Sequence, residues 1–133
     1  MPFVDSMAFT SESIVTTSYV CRQFEYLIKM ALYDMEGNLI KEVKELPTGE
    51  VLNGPIALAV DNSDNIWLSD EILGKTIILD ANAGYVRELK EVEAPQKIIF
   101  YDGKVYTHSQ RSGMLTAVSP MSMCTVLIID ILN

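Results

Sequence analysis

The chain has 133 residues, 49% of them hydrophobic and 21% charged, the composition of one globular domain and not of a disordered polymer. Eighteen acids against ten bases leave a net charge of −8, a field that repels phosphate backbones and anionic surfaces, so nucleic acid and membrane are not expected partners.

The predicted elements are short β-rich runs separated by polar turns. "PFVDSMAF" (2–9) leads through the turn "TSES" (10–13) into "IVTTS" (14–18). After an interval come "KMALYD" (29–34), the turn "DMEGN" (34–38) and "NLIKEV" (38–43). The same order returns as "PIALAV", "DNSDN", "IWLSD", "KTIILD", "DANAG" and "YVREL" between Pro55 and Leu89, and again as "PQKIIF", "YDGK", "VYTHS", "MLTAVS" and "TVLIID" between Pro95 and Asp130. With Pro2, Pro55 and Pro95 as heads, the offsets from proline to second run are 12, 11 and 10 residues (to Ile14, Ile66 and Val105). A proline suits the first residue of a strand, where its missing N–H is least needed. The runs favour Val, Ile, Thr, Tyr and Trp, which fit a half-buried pleated surface. Asp, Asn and Gly in the turns supply side-chain caps and positive φ, and Asp102-Gly103 is a strong hairpin signal.

The chain therefore divides into three four-stranded antiparallel meanders, over 1–49, 50–90 and 91–133, in one domain. In the first unit "VCRQFEYLI" (20–28) inflates the loop between the second and third strands. The segment "CRQFEYLIKMALYDM" (21–35) could place Phe24, Leu27, Ile28 and Ala31 on one helical face, but the repeat register makes its second half a strand.

Units of about 40 residues, each a four-stranded sheet, mark β-propeller blades. The stretch "GPIALAVDNSDNIWLSDEILGKTIILDANAGYVREL" (54–89) resembles the NHL-type repeat of six-bladed propellers, in its Pro-Ile-Ala-Leu-Ala-Val-Asp entry, its Asn-Ile-Trp-Leu-Ser-Asp second strand and its Asp80-to-Gly84 turn. The resemblance implies an all-β propeller fold. It says little of activity, because propellers host hydrolases, lyases, receptors and scaffolds. Three blades leave two end faces bare, which predicts a homodimer closing a six-bladed ring, or else that the chain is a fragment or a module whose end blades other protein chains cover.

In such folds the loops after the second strand form the ligand face. They place Ser18, Tyr19 and Arg22, then Asp70 and Glu71, then His108 and Arg111 around one mouth of the channel. Arg22 and Arg111 could fork onto a carboxylate or phosphate. The candidate ligand-binding residues are thus Tyr19, Arg22, Asp70, Glu71, His108 and Arg111, against the plainer alternative of a solvated loop. His108, the one histidine, has no visible orienting partner and is expected to be structural or exposed. Calcium-dependent lactonase relatives of this fold carry an acid in each of several blades; here Ser18 and Ser109 stand where unit two has Asp70, so no metal and no cofactor is expected. Asp34 and Asp80 are expected to cap their own turns, and Trp67 to pack between blades. Cys21 and Cys124 have no neighbouring cysteine or histidine at zinc spacing and indicate no disulfide framework. The N-terminus lacks the basic and apolar regions of a signal peptide. The apolar run "VLIIDIL" (126–132) is far below the ~20 residues of a membrane helix. A soluble protein is expected, cytoplasmic by default and exported if a signal has been removed. No nucleophile elbow, phosphate loop or metal-spaced cluster is present. The function expected is a non-enzymatic binding or scaffold module acting through the loop face or rim. The alternatives are a lactonase- or strictosidine-synthase-like enzyme with a channel site in a dimer, and a structural subunit of a larger assembly.

Overall fold

The computed structural model describes the backbone of residues 2–22, 25–53, 55–89, 95, 97–109, 113–119 and 124–130, and side chains within 6–18, 29–53, 57–89, 95, 97–109, 113 and 115–118. Twelve strands run through these residues: β1 (Pro2–Phe9), β2 (Ser13–Arg22), β3 (Glu25–Asp34), β4 (Leu39–Val43), β5 (Pro55–Val60), β6 (Ile66–Asp70), β7 (Lys75–Leu79), β8 (Tyr85–Leu89), β9 (Lys97–Tyr101), β10 (Lys104–His108), β11 (Met114–Ser119) and β12 (Cys124–Asp130). They form three four-stranded antiparallel sheets, each a meander in chain order, β1–β4, β5–β8 and β9–β12. The first strands of consecutive sheets lie side by side, β1 with β5 and β5 with β9, so the sheets fan out from a shared inner edge. Among the described residues there is no helix, and hence none long and apolar enough to cross a membrane.

The expected turns form for the expected reason. Asp34, Asp61 and Asp80 each accept two backbone N–H bonds on one carboxylate oxygen, Asp34 from Glu36 and Asn38, Asp61 from Ser63 and Asn65, and Asp80 from Asn82 and Gly84, all at 2.8–3.0 Å. The fourth residue of each turn takes positive φ: Gly37 at 90°, Asp64 at 61° and Ala83 at 62°. Side-chain capping thus holds a left-handed residue even where it is not glycine. Asp34 is only half-buried, yet the N–H of Asn38 holds its carboxyl below the ordinary 3.8. Between β9 and β10, Asp102 and Gly103 take φ of 48° and 78° in a two-residue hairpin turn. Space around Gly103 is open, so Gly103→Val should destabilise by about 1 kcal/mol or more through backbone strain alone, read as a lowered midpoint of urea unfolding.

Packing follows from alternation along the strands. Ile66 and Leu68 on β6, with Leu58, Ile77 and Leu79, face the first sheet and join Val15, Met30, Leu32 and Val43 in one core. Trp67, Ala57, Ala59 and Ile78 face the other way and meet Ile98, Val105 and Val118 of the third sheet. The middle sheet is therefore buried on both sides, which is why β6 is buried at every residue. A hydrogen-bonded pair ties the sheets at the turns, where Ser11 donates to the Asp64 carboxylate through both its backbone N–H and its hydroxyl.

Two expectations are corrected. Residues 20–28 do not inflate a loop: β2 and β3 run on as paired strands through Val20↔Leu27, Cys21↔Tyr26 and Arg22↔Glu25, extending the hairpin past the ends of β6 and β7. The helical alternative over 21–35 falls with it, since β3 spans most of that segment. The extension also shifts the register at the start. Val4 pairs with Ser18 just before a bulge, as Pro55 pairs with Asp70 just before a bulge, so Val4, not Pro2, is the counterpart of Pro55.

Candidate functional site

Asp70 ends β6 fully buried. One carboxylate oxygen accepts the N–H groups of Ile72 and Leu73 at 3.1 and 3.0 Å, and the other accepts that of Asn53 at 2.8 Å. It therefore closes its own loop and pins the β4–β5 connection to it, an acceptor role that uses both oxygens inward. Gly74, at φ 70°, completes the loop by donating to the Asp70 carbonyl. Gly113 donates in the same way to Ser109, so Ser109 does stand at the position of Asp70, as read from the repeat. Glu71 is half-buried in the same loop. His108 ends β10 on the face of the third sheet turned away from the second, since Val105 and Thr107 alternate with it. Its Nε2 is buried without a hydrogen-bond partner. Tyr19 and Arg22 lie within β2 and not in a loop, because the hairpin continues past them; their side chains, and all of Arg111, are outside the described residues. Asp70 and Glu71 are thus brought together on one loop, and His108 is placed on another sheet's far face. Among the described residues no group of three His, Cys, Asp or Glu could hold a metal ion.

A second place was not legible in the sequence. At the outer rim between the first and second sheets lies an open groove of about 560 Å³, walled by Lys41 and Lys44 on one side and by Ala83 and Tyr85 on the other, with Leu46 and Pro47 between. Each wall has a local cause. The β4–β5 connection folds back on itself, with Leu46 donating to the Glu50 carbonyl and Gly49 to that of Leu46, while Glu45 bridges to Val51. The opposite wall is the Asp80-capped turn, and the Lys41 ammonium reaches across to the Ala83 carbonyl at 3.4 Å.

The electrostatics of the rim repeat from sheet to sheet. Lys29 pairs with Glu42 at 2.5 Å, and Lys75, at the corresponding place in the second sheet, pairs with Glu88 at 2.9 Å. Lys75 also holds Glu50 of the connection at 2.6 Å. The hydrogen bond from Lys29 draws Glu42 below the ordinary glutamate value of 4.5, and Lys75, helped by the Thr48 hydroxyl, does the same to Glu50. Glu50 and then Glu88 raise Lys75 well above the ordinary lysine range. The shifts keep Glu42, Glu50 and Lys75 charged at neutral pH. Of the charged residues lining the groove, Glu42 and Lys44 are in ion pairs, whereas Lys41 and Glu45 are in none of the ion pairs among the described residues.

No protein-family model matches the sequence, and no curated protein is similar to it. Solved structures are similar in fold. Hydrazine synthase from Kuenenia stuttgartiensis superposes with a TM-score of 0.69 at 12% identity, over 93% of this chain and 34% of that one. Apo AztD from Citrobacter koseri does so at 0.60 and 12%, over 96% and 46%, and a protein of unknown function from Bacteroides caccae at 0.62 and 11%, over 98% and 61%. This chain thus spans between 34% and 61% of the length of those proteins. At such identities the likeness speaks of fold alone, and the fold is that of β-propeller blades, three of them, matching the three meanders.

Proposed function

We propose that this protein is a non-enzymatic binding module that takes a segment of another polypeptide in the rim groove between its first two blades. The observation that carries the reading is the groove itself, open along the rim, with Tyr85, Leu46 and Pro47 offering apolar contact between walls that carry charges of both signs, Lys41 and Lys44 with Glu42 and Glu45. Its shape suits an extended chain laid along the surface better than a small molecule, which is held in a closed pocket that buries most of its area. Strand β4 is the outer edge of its sheet and presents Leu39 and Ile40 to solvent beside the groove, a ready template for an added extended segment. The loop face, by contrast, uses the Asp70 carboxylate to hold its own backbone.

The test is selection from a displayed library of random dodecapeptides against the intact protein. Enriched peptides should bind, lose at least about tenfold in affinity to Tyr85→Ala, as expected when an aromatic anchor is removed, and keep their affinity for Glu71→Ala. Peptides sensitive to Glu71→Ala and indifferent to Tyr85→Ala would move the site to the loop face. A selection that enriches nothing would refute a peptide-binding rim.

A further inference from the structure

The rim groove lies at the junction already made between the first two sheets, so what stands against the outer faces of the first and third sheets does not bear on it. Strand pairing fixes which side chains turn into it. Lys41 pairs with Leu32 and Val43 with Met30, and Leu32 and Met30 belong to the core between the two sheets, so Lys41 and Val43 stand on the groove side of β4. Across the groove, Tyr85 pairs with Leu79 of the same core and stands on the facing side of β8. Glu45 comes two residues beyond Val43, next to Leu46 and Pro47, where the connection bridges to Val51.

The charges of this wall fall into two sets. Glu42, which alternates with Lys41 and Val43, holds Lys29 at 2.5 Å and lies 3.6 Å from Lys44, so it and both lysines are engaged with one another. Lys41 and Glu45 are exposed and enter no ion pair among the described residues. Four steps along an extended chain put them about 13 Å apart, farther than the ~8 Å over which exposed charges feel each other in physiological salt. Neither therefore satisfies the other. The Lys41 ammonium rests on the Ala83 carbonyl at 3.4 Å, a long contact with a neutral acceptor for which a carboxylate is the stronger replacement.

We propose, resting on the peptide-binding reading of this groove, that its occupant is an extended segment of the order base-x-apolar-x-acid, laid antiparallel along β4. The base meets Glu45, the apolar residue lies against Tyr85 and Leu79, and the acid meets Lys41.

Strand geometry ties the three contacts together. In an extended chain, residues two and four apart share a face and advance at the same rise as β4, so alternate side chains of one added strand reach all three places. Strand β4 has β3 as its one neighbour among the described strands, and the outward N–H and C=O groups of such an edge can carry the added strand. Antiparallel pairing is the more stable kind, and it sets the order. The segment enters at the connection, opposite Glu45, and leaves at the β3–β4 turn, opposite Lys41. Charges of opposite sign at the two ends then fix direction and register, since a slip of one residue would turn both partners to the other face. The apolar centre of the groove supplies contact, and its two ends supply discrimination.

The experiment uses two libraries of displayed dodecapeptides, one fixed at Arg-x-Leu-x-Glu and one at the reversed Glu-x-Leu-x-Arg. Each is selected against the intact protein and against a variant carrying Lys41→Glu and Glu45→Lys together. Both positions are exposed and the double change keeps the net charge, so the variant should keep its circular dichroism. The intact protein should enrich the first frame, and its binders should lose about tenfold in affinity to the variant, where two part-exposed attractions become repulsions. The variant should in turn enrich the second frame. Binding restored by reversing both partners is a result that neither general stickiness nor a distorted wall would give. Equal binding of both frames, still lost on Tyr85→Ala, would overturn the charge order and leave the groove reading standing. Preference of the intact protein for the reversed frame would overturn the antiparallel placement. Binders indifferent to Tyr85→Ala, or no binders from either frame, would refute the groove reading itself and this inference with it.

Discussion

Replacement of Trp67 by alanine is expected to destabilise the protein by about 3–5 kcal/mol, the range for deleting a large aromatic from a packed core. The indole is fully buried at the junction of the second and third blades, among Ala57, Ala59, Ile78, Leu89, Val105 and Val118. The small alanines on β5 leave room for it, so its removal opens a void that two sheets would have to close. Its Nε1–H donates to Asp61 at 2.9 Å, and Asp61 is itself buried while capping the β5–β6 turn. The loss therefore reaches from the junction into a turn. Domains of this size are stable by only about 5–15 kcal/mol, so the variant should unfold at markedly lower urea, followed by circular dichroism because no other tryptophan reports. Trp67→Phe keeps most of the volume and removes the donor; it should fall between wild type and Trp67→Ala. An effect below about 1 kcal/mol for Trp67→Ala would mean that the ring does not join the blades.

The second large effect is expected at Asp70. Asp70→Ala removes the acceptors of three backbone N–H groups in a place closed to water, and each unmatched buried donor carries a penalty of about 1–3 kcal/mol, partly relieved by loop opening. A net loss of about 2–4 kcal/mol follows. Asp34→Ala is the control. Asp34 caps its turn in the same manner through Glu36 and Asn38, but it is only half-buried and these hydrogen bonds are open to solvent, so water replaces the lost carboxylate and the loss should stay near 1 kcal/mol or below. The comparison separates two roles for Asp70 that look alike in the sequence. If its carboxylate holds the loop, unfolding free energy falls several times further than for Asp34→Ala. Equal small losses would return it to the solvent face as a ligand-binding acid.

The contrast between Asp34 and Asp70 shows why some features were legible and others were not. The Asp-initiated turns depend on atoms within five residues, so "DMEGN", "DNSDN" and "DANAG" declare them directly. The alternation of Ile66, Trp67 and Leu68 declares a strand buried on both sides, because pleating sends neighbours to opposite faces wherever they lie. Asp70 sits two residues beyond that run and reads as a loop acid. It is buried because Asn53, seventeen positions earlier, is folded against it. The rim groove is further from view still, since Lys41 and Tyr85 meet across two blades and nothing in either segment names the other.

By itself the amino-acid order determined the strands, their turns and the threefold repetition, since these rest on residue-to-residue steps of one, two or four along the chain. Only the tertiary structure decided that the segment after Ser18 prolongs a hairpin, that Asp70 turns inward, and that a groove opens beside β4. Each of these is a matter of which distant surface excludes water from a given atom, a property of the assembled sheets that no short stretch of chain carries.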